Sequence, residues 1–222
     1  MFLKFTFVTL FPNLVEPYFH DSILKRAVES GFISYEFYNP RDYTTNKHLK
    51  VDAQICSGGA GMLMTPQPLF DTLDDIKNKN EDAYIVFPLA AAKPFRQNDA
   101  KRLAKKKNVV FVSGRYEGID ERVIEKYADE VFCIGEYILT GGELPSLVMA
   151  DAISRNCEGV LGNANSLDIE SYEDGLLEAP SFTKPLQFKN LSVVKEFLKG
   201  NHSKIHDLKF QMSICKTRYY RP

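Results

Sequence analysis

Residues 108–135 read NVVFVSGRYEGIDERVIEKYADEVFCIG, and the fold turns on this stretch. Asn108-Val109-Val110-Phe111-Val112 is a run of strand formers, Ser113-Gly114-Arg115-Tyr116-Glu117-Gly118 is a glycine-bearing turn, residues 120–127 have helical spacing, and residues 130–134 return to a strand ending at Gly135. A strand, a helix and a second strand in that order form the crossover unit of a parallel sheet, which survives only when helices cover both faces.

The same alternation extends outward. Further strand-like segments fall at 2–11, 32–37 and 84–89, and helical candidates at 14–30, 68–78, 97–106 and 144–155, the last with Pro145 in its first turn, where a missing amide costs nothing. The expected fold class is therefore α/β, a mostly parallel sheet wrapped by helices. After about Asn156 the pattern changes. Residues 163–179 are polar, acidic and aperiodic, and beyond Pro185 helical spacing resumes, with Leu191, Val194, Phe197, Leu198, Ile205, Leu208, Met212 and Cys215 set between lysines. The chain is read as a catalytic domain at 1–160, a linker at 161–182 and a small helical domain at 183–222.

Composition bounds the function. At 222 residues, 44% hydrophobic and 26% charged, the chain can bury a large core and is neither disordered nor fibrous. Its longest apolar runs, such as 84–92, fall short of the roughly 20 residues a bilayer span requires. Residues 2–11 lack the basic start and cleavage site of a signal peptide, so the expectation is a cytoplasmic protein with no membrane partner. Cys56, Cys133, Cys157 and Cys215 show no paired spacing and are read as reduced thiols. Net charge is −1, yet residues 184–222 hold nine basic and two acidic residues against 19 basic and 27 acidic in residues 1–183. A basic tail on an acidic body suits a polyanion partner, or a solvated basic helix.

Three glycine-rich turns stand out: Ser57-Gly58-Gly59-Ala60-Gly61, residues 113–118, and Ile134-Gly135-Glu136-Tyr137-Ile138-Leu139-Thr140-Gly141-Gly142-Glu143-Leu144-Pro145. The second and third follow strands and lead into helices, where α/β sheets bind ligands. Neither the G-x-G-x-x-G nor the P-loop spacing is present, so nothing here reads as a dinucleotide or P-loop site. Spacing alone gives a ligand-binding α/β domain, and any one turn could be only a turn.

Residues Gly114 through Val123 and Ile134 through Pro145 closely resemble the signature stretches of the bacterial tRNA (guanine-N1)-methyltransferase family, knotted RNA methyltransferases of the SPOUT class. The resemblance extends to Leu10-Phe11-Pro12, Pro40-Arg41-Asp42, Gly61-Met62-Leu63-Met64, Ser154-Arg155, Gly159-Val160-Leu161-Gly162, Gly200-Asn201-His202 and Arg221-Pro222. It implies a trefoil-knotted S-adenosylmethionine site, a homodimer whose active sites draw on both subunits, a tRNA partner, and methyl transfer to N1 of the guanosine immediately 3′ of the anticodon, position 37.

By the same resemblance, the donor contacts are Leu89, Gly114, Tyr116, Glu117, Gly118, Ile134, Gly135, Glu136, Tyr137, Ile138, Leu139, Gly141, Gly142 and Pro145. Arg155 matches the family arginine at guanine O6, Glu117 the glutamate near the donor's methionine, and Glu170 the linker position of the general base, with Asp168 two residues away. Glu117, Glu170 and Glu178 could attract the Mg²⁺ on which family activity depends. Two departures are visible. Pro88-Leu89-Ala90-Ala91-Ala92 stands where the family commonly has a Ser-Pro-Gln-Gly-type loop, and Cys56-Ser57 replace its usual Tyr-Gly. From the residues themselves two rivals stay open, a knotted methyltransferase acting elsewhere on RNA and a non-catalytic RNA binder, and binding of adenosylmethionine would separate the second from the rest.

Overall fold

The computed structural model describes residues 2–162, 170–172 and 175–221. It divides into two compact units, Met1–Gly162 and Asn163–Pro222.

The first unit is built on five strands, β1 (Leu3–Val8), β2 (Ile33–Tyr38), β5 (Ala83–Pro94), β6 (Asn108–Val112) and β7 (Glu130–Cys133), in the order β2-β1-β6-β5-β7. Every neighbouring pair is parallel. In the central strand β6 all five residues are buried, which is why its sequence is a nearly continuous apolar run. Alternation then divides the core. Phe5, Phe7, Val109, Phe111 and Phe132 pack on one face with Leu103 of α3 (Gln97–Leu103) and Met149 and Ile153 of α5 (Glu143–Ser154). Val8, Ile85, Phe87, Val110 and Val112 pack on the other with Leu69, Leu73 and Ile76 of α2 (Pro66–Lys79) and Val123 and Tyr127 of α4 (Glu121–Tyr127). At the strands' carboxyl ends, β5 breaks register with β7 between Pro88 and Lys93, so residues 89–92 leave the ladder.

Two expectations need correction, and one element was not foreseen. The segment 14–30 is not one helix. It contains two short 3-10 turns, Pro12–Leu14 and Glu16–His20, and then α1 (Ser22–Glu29). Pro17 removes a donor that a continuous helix needs, and extended Asp21, whose side chain accepts from the Ser22 amide, starts the helix afresh. A hairpin of β3 (Asp52–Gln54) and β4 (Met62–Met64), too short to show any period, brackets the first glycine turn. In the second unit Leu191 is not helical, because β8 (Gln187–Phe188) and β9 (Leu191–Ser192) form a small hairpin whose turn takes positive φ at Lys189. The helical spacing belongs to α6 (His202–Tyr220), whose N-cap Asn201 accepts from the Lys204 amide. All four cysteines are free, and among the described residues no helix is long and apolar enough to cross a membrane.

Candidate active site

The register break of β5 at residues 89–92 and the turns that follow β6 and β7 lie at one end of the parallel sheet, and the two turns are held by bonds from distant parts of the chain. After β6, the Ser113 amide donates to the Val8 carbonyl at 2.9 Å and prolongs the β1 ladder. The turn then reverses at Tyr116 (φ 59) and Gly118 (φ 129), a conformation that only glycine adopts freely at the second position. β4 braces it from below. The Glu117 amide donates to Met62 O at 2.9 Å, Met64 N to Gly118 O at 3.0 Å and Asp120 N to Met64 O at 3.1 Å. Gly61, at φ 95, lies under the Glu117 side chain, where a Cβ would fall 2.5 Å from Glu117 Cγ.

The stretch after β7 crosses the one after β6 at backbone contact. Gly142 N donates to Gly114 O at 2.9 Å, and a Cβ on Gly142 would stand 2.7 Å from both Gly114 N and Ser113 Cα. No side chain fits there. Beneath the crossing, Ser146 gives its single hydroxyl hydrogen to Gly142 O at 2.7 Å, so Ser113 is the donor in the buried 3.1 Å contact between the two hydroxyls.

These turns enclose a cleft of about 460 Å³, within the range of small-molecule sites. Thirteen of the residues expected at the donor line it: Leu89, Gly114, Tyr116, Glu117, Gly118, Ile134, Gly135, Tyr137, Ile138, Leu139, Gly141, Gly142 and Pro145. Glu136, the remaining one, is exposed and is not among the lining residues, because the turn that returns Tyr137 N to Gly135 O at 3.0 Å carries it away from the cleft wall. Ala90 and Arg115, which lie inside the loops that the family resemblance sets around the donor, line the cleft as well, and sequence reasoning missed Pro88, Ile119, Phe132 and Cys133. Aliphatic side chains and backbone groups dominate, an arrangement suited to a flat heterocycle read by amides and carbonyls. The fit is to a nucleoside-sized ligand.

Arg115 ties the cleft to the start of α5. Its Nε stands 2.9 Å from Glu143 Oε2, the two side chains being 17% and 3% exposed. The N–H does not point at the oxygen well enough for a directed hydrogen bond, so this contact is an ion pair. The other Glu143 oxygen accepts from Thr9 at 2.7 Å.

Arg155 caps the far end of α5, half-buried, its amide donating to Asp151 O at 3.1 Å. Since α5 has 12 residues, about 18 Å of helix separates it from the Gly142 end at the cleft. Glu170 belongs to the second unit. Beside it, Ser171 Oγ accepts from Glu178 N at 3.0 Å, Tyr172 N donates to Leu176 O at 2.8 Å, and the Arg221 guanidinium lies 4.8 Å from the Tyr172 ring centroid. Asp168 lies outside the described residues. Among those described, no three His, Cys, Asp or Glu side chains gather to hold a metal ion.

A family model described as tRNA (Guanine-1)-methyltransferase TrmD matches residues 3–222. The chain is 66% identical over 220 residues to the tRNA (guanine-N(1)-)-methyltransferase of Sulfurovum sp. (strain NBC37-1), covering 99% of this chain and 97% of that one. It is 64% identical to the protein of the same name from Sulfurimonas denitrificans, covering 99% and 95% of the two chains, and 55% identical to that of Campylobacter jejuni (strain ATCC 700819 / NCTC 11168), covering 99% and 96%.

Proposed function

The chain belongs to the tRNA (guanine-1)-methyltransferase family, and on that premise we propose that it moves the methyl group of S-adenosylmethionine to N1 of the guanosine immediately 3′ of the tRNA anticodon, position 37. The observation that carries the reading is the cleft at the carboxyl ends of β5, β6 and β7, lined by thirteen of the residues expected at the donor.

The chemistry sets what the remaining residues must do. Guanine N1 carries a proton at neutral pH, and its lone pair is delocalised into the ring. A carboxylate within hydrogen-bond reach must take that proton, and a cation must hold the negative charge that spreads to O6. Glu170 is assigned the first task and Arg155 the second. The donor supplies an electrophilic methyl group, and Glu117, on the cleft wall over Gly61, orients the donor's methionine end. Mg²⁺ is a further proposed requirement, with Glu117, Glu170 and Glu178 as the carboxylates on offer.

The length of α5 supports the homodimer. Arg155 and the cleft of one chain stand at opposite ends of a helix of about 18 Å, so they meet at one guanine only if a second copy brings its Arg155 to the first copy's cleft. Leu144 and Val148, one turn apart on α5 and 55% and 44% exposed, together with Ile138 at 84%, form an apolar face for that copy to cover. A trefoil knot around the donor is in keeping with the backbone contact at Gly142 and Gly114, where the two turns cross without room for a side chain.

Unmodified tRNA transcripts carrying guanosine or adenosine at position 37 decide the matter. Radiolabelled methyl should enter the first, appear as 1-methylguanosine on nucleoside analysis, and not enter the second. Equal labelling of both, or label on another nucleoside, would refute the assignment.

A further inference from the structure

We propose that Arg115 is a positioning residue of the donor cleft, clamping residues 134–142 in their donor-binding shape through its ion pair with Glu143. The proposal rests on reading that cleft as the methyl-donor site.

Two distant stretches of the chain, at Phe11 and at residues 140–143, meet at this one side chain. The guanidinium pairs with Glu143 at the start of α5, 2.9 Å away, while Glu143 is itself held at 2.7 Å by the Thr9 hydroxyl just past β1. Its Nη1 donates to the Thr140 carbonyl at 3.2 Å, in the middle of the segment after β7. Its carbon centre lies 4.6 Å from the centroid of the Phe11 ring. Arg115 Nε and Glu143 Oε2 are both buried and make no directed hydrogen bond, so each relies on the charge of the other. Separating such a pair would leave a charge uncompensated inside the protein, which makes any other placement of either group costly.

Gly141 shows what the clamp holds. A Cβ at Gly141 would fall 2.5 Å from Arg115 Nε and 2.7 Å from Cζ. The guanidinium thus lies against the backbone of Gly141, and the absence of a side chain there serves Arg115 before it serves any ligand. Arg115, Gly141 and Gly142 all line the cleft, so a displaced guanidinium moves the cleft wall itself. Lysine could keep the charge, but its single ammonium cannot pair with Glu143, reach Thr140 and stack on Phe11 together. A wall held in place before the ligand arrives spares the cost of ordering it on binding.

Arg115→Ala would strand Glu143 and could unfold the protein, so the principal variant is Arg115→Met combined with Glu143→Gln. It removes both charges, keeps the volume and leaves Thr9 a partner. In the donor-free protein, amide hydrogen exchange in residues 136–142 should accelerate while β6 stays protected. Adenosylmethionine should bind about ten- to a hundredfold more weakly, the range lost when a supporting contact is removed from a site. Arg115→Lys should recover only part of that affinity. Gly141→Ala should weaken donor binding in the wild-type background and add little in the Met/Gln background, because a flexible methionine held by no ion pair can swing clear of the added methyl. Unchanged exchange and affinity in the folded Met/Gln variant, or an equal effect of Gly141→Ala in both backgrounds, would overturn the proposal. A wild-type protein that bound no adenosylmethionine would instead sink the donor reading, and the exchange measurement, which needs no donor, would still decide whether Arg115 holds the segment.

Discussion

The proposed general base, Glu170, would have to be held at a set distance from the proton it takes, and beside it Ser171 and Tyr172 fix the backbone. Ser171 is tied to the Glu178 amide, and Tyr172 to Leu176, while Arg221 stacks on the Tyr172 ring. The positive φ of 81° at Tyr172 bends the chain sharply, two residues after the carboxylate. Glu170→Gln keeps the shape of the side chain and removes its basicity. It should lower single-turnover methyl transfer by about 10²–10⁴-fold, with the affinities for tRNA and donor nearly unchanged. Glu170→Asp should retain more activity, since it loses reach and keeps the chemistry. Normal turnover by Glu170→Gln combined with a dead Asp168→Asn would move the base two residues back.

At the scale of elements, α5 carries the strongest expectation. If each site takes its cleft from one chain and its Arg155 from the other, two inactive variants should rescue one another. Mixing Glu117→Ala with Arg155→Ala after subunit exchange should restore roughly a quarter of wild-type turnover, one sound site in the half of dimers that are mixed. No recovery in verified mixed dimers would mean that a single chain supplies both residues. The elements also show what was legible in advance. β6 was found at its true bounds because four of its five residues are apolar and all five are buried. α5 was found because an apolar helix of that length opening on Pro145 has few other readings. The helix expected at 14–30 failed because Val15 and Phe19 keep apolar spacing through turns that Pro17 prevents from becoming α-helical. The cleft was legible through its glycine turns and their likeness to a family. The Arg115 clamp was not, because Thr9 and Glu143 are 134 residues apart and no local pattern links them.

Across the whole molecule, charge is divided between the two ends of the chain: net +7 in residues 184–222 and −8 before them. Except for the half-buried Lys216, every basic residue of the tail is exposed, and Phe188, Phe210, Tyr219 and Tyr220 stand exposed among them. Phosphate contacts release counterions, so the logarithm of affinity should fall with the logarithm of salt by about 0.9 for each phosphate met on a duplex. Removing residues 184–222 should abolish salt-sensitive tRNA binding in filter or gel-shift assays and leave adenosylmethionine binding intact. If the truncated protein bound tRNA with the same slope, the tail would be only a solvated surface. The helix from the cleft to Arg155 adds a constraint of another kind. Each residue of α5 advances the chain about 1.5 Å and turns it about 100°, so losing a single codon within it would swing the arginine round the helix as well as shorten its approach. Gene variants of this protein should therefore tolerate changes of letter along the outer face of α5 far better than any change in its number of letters.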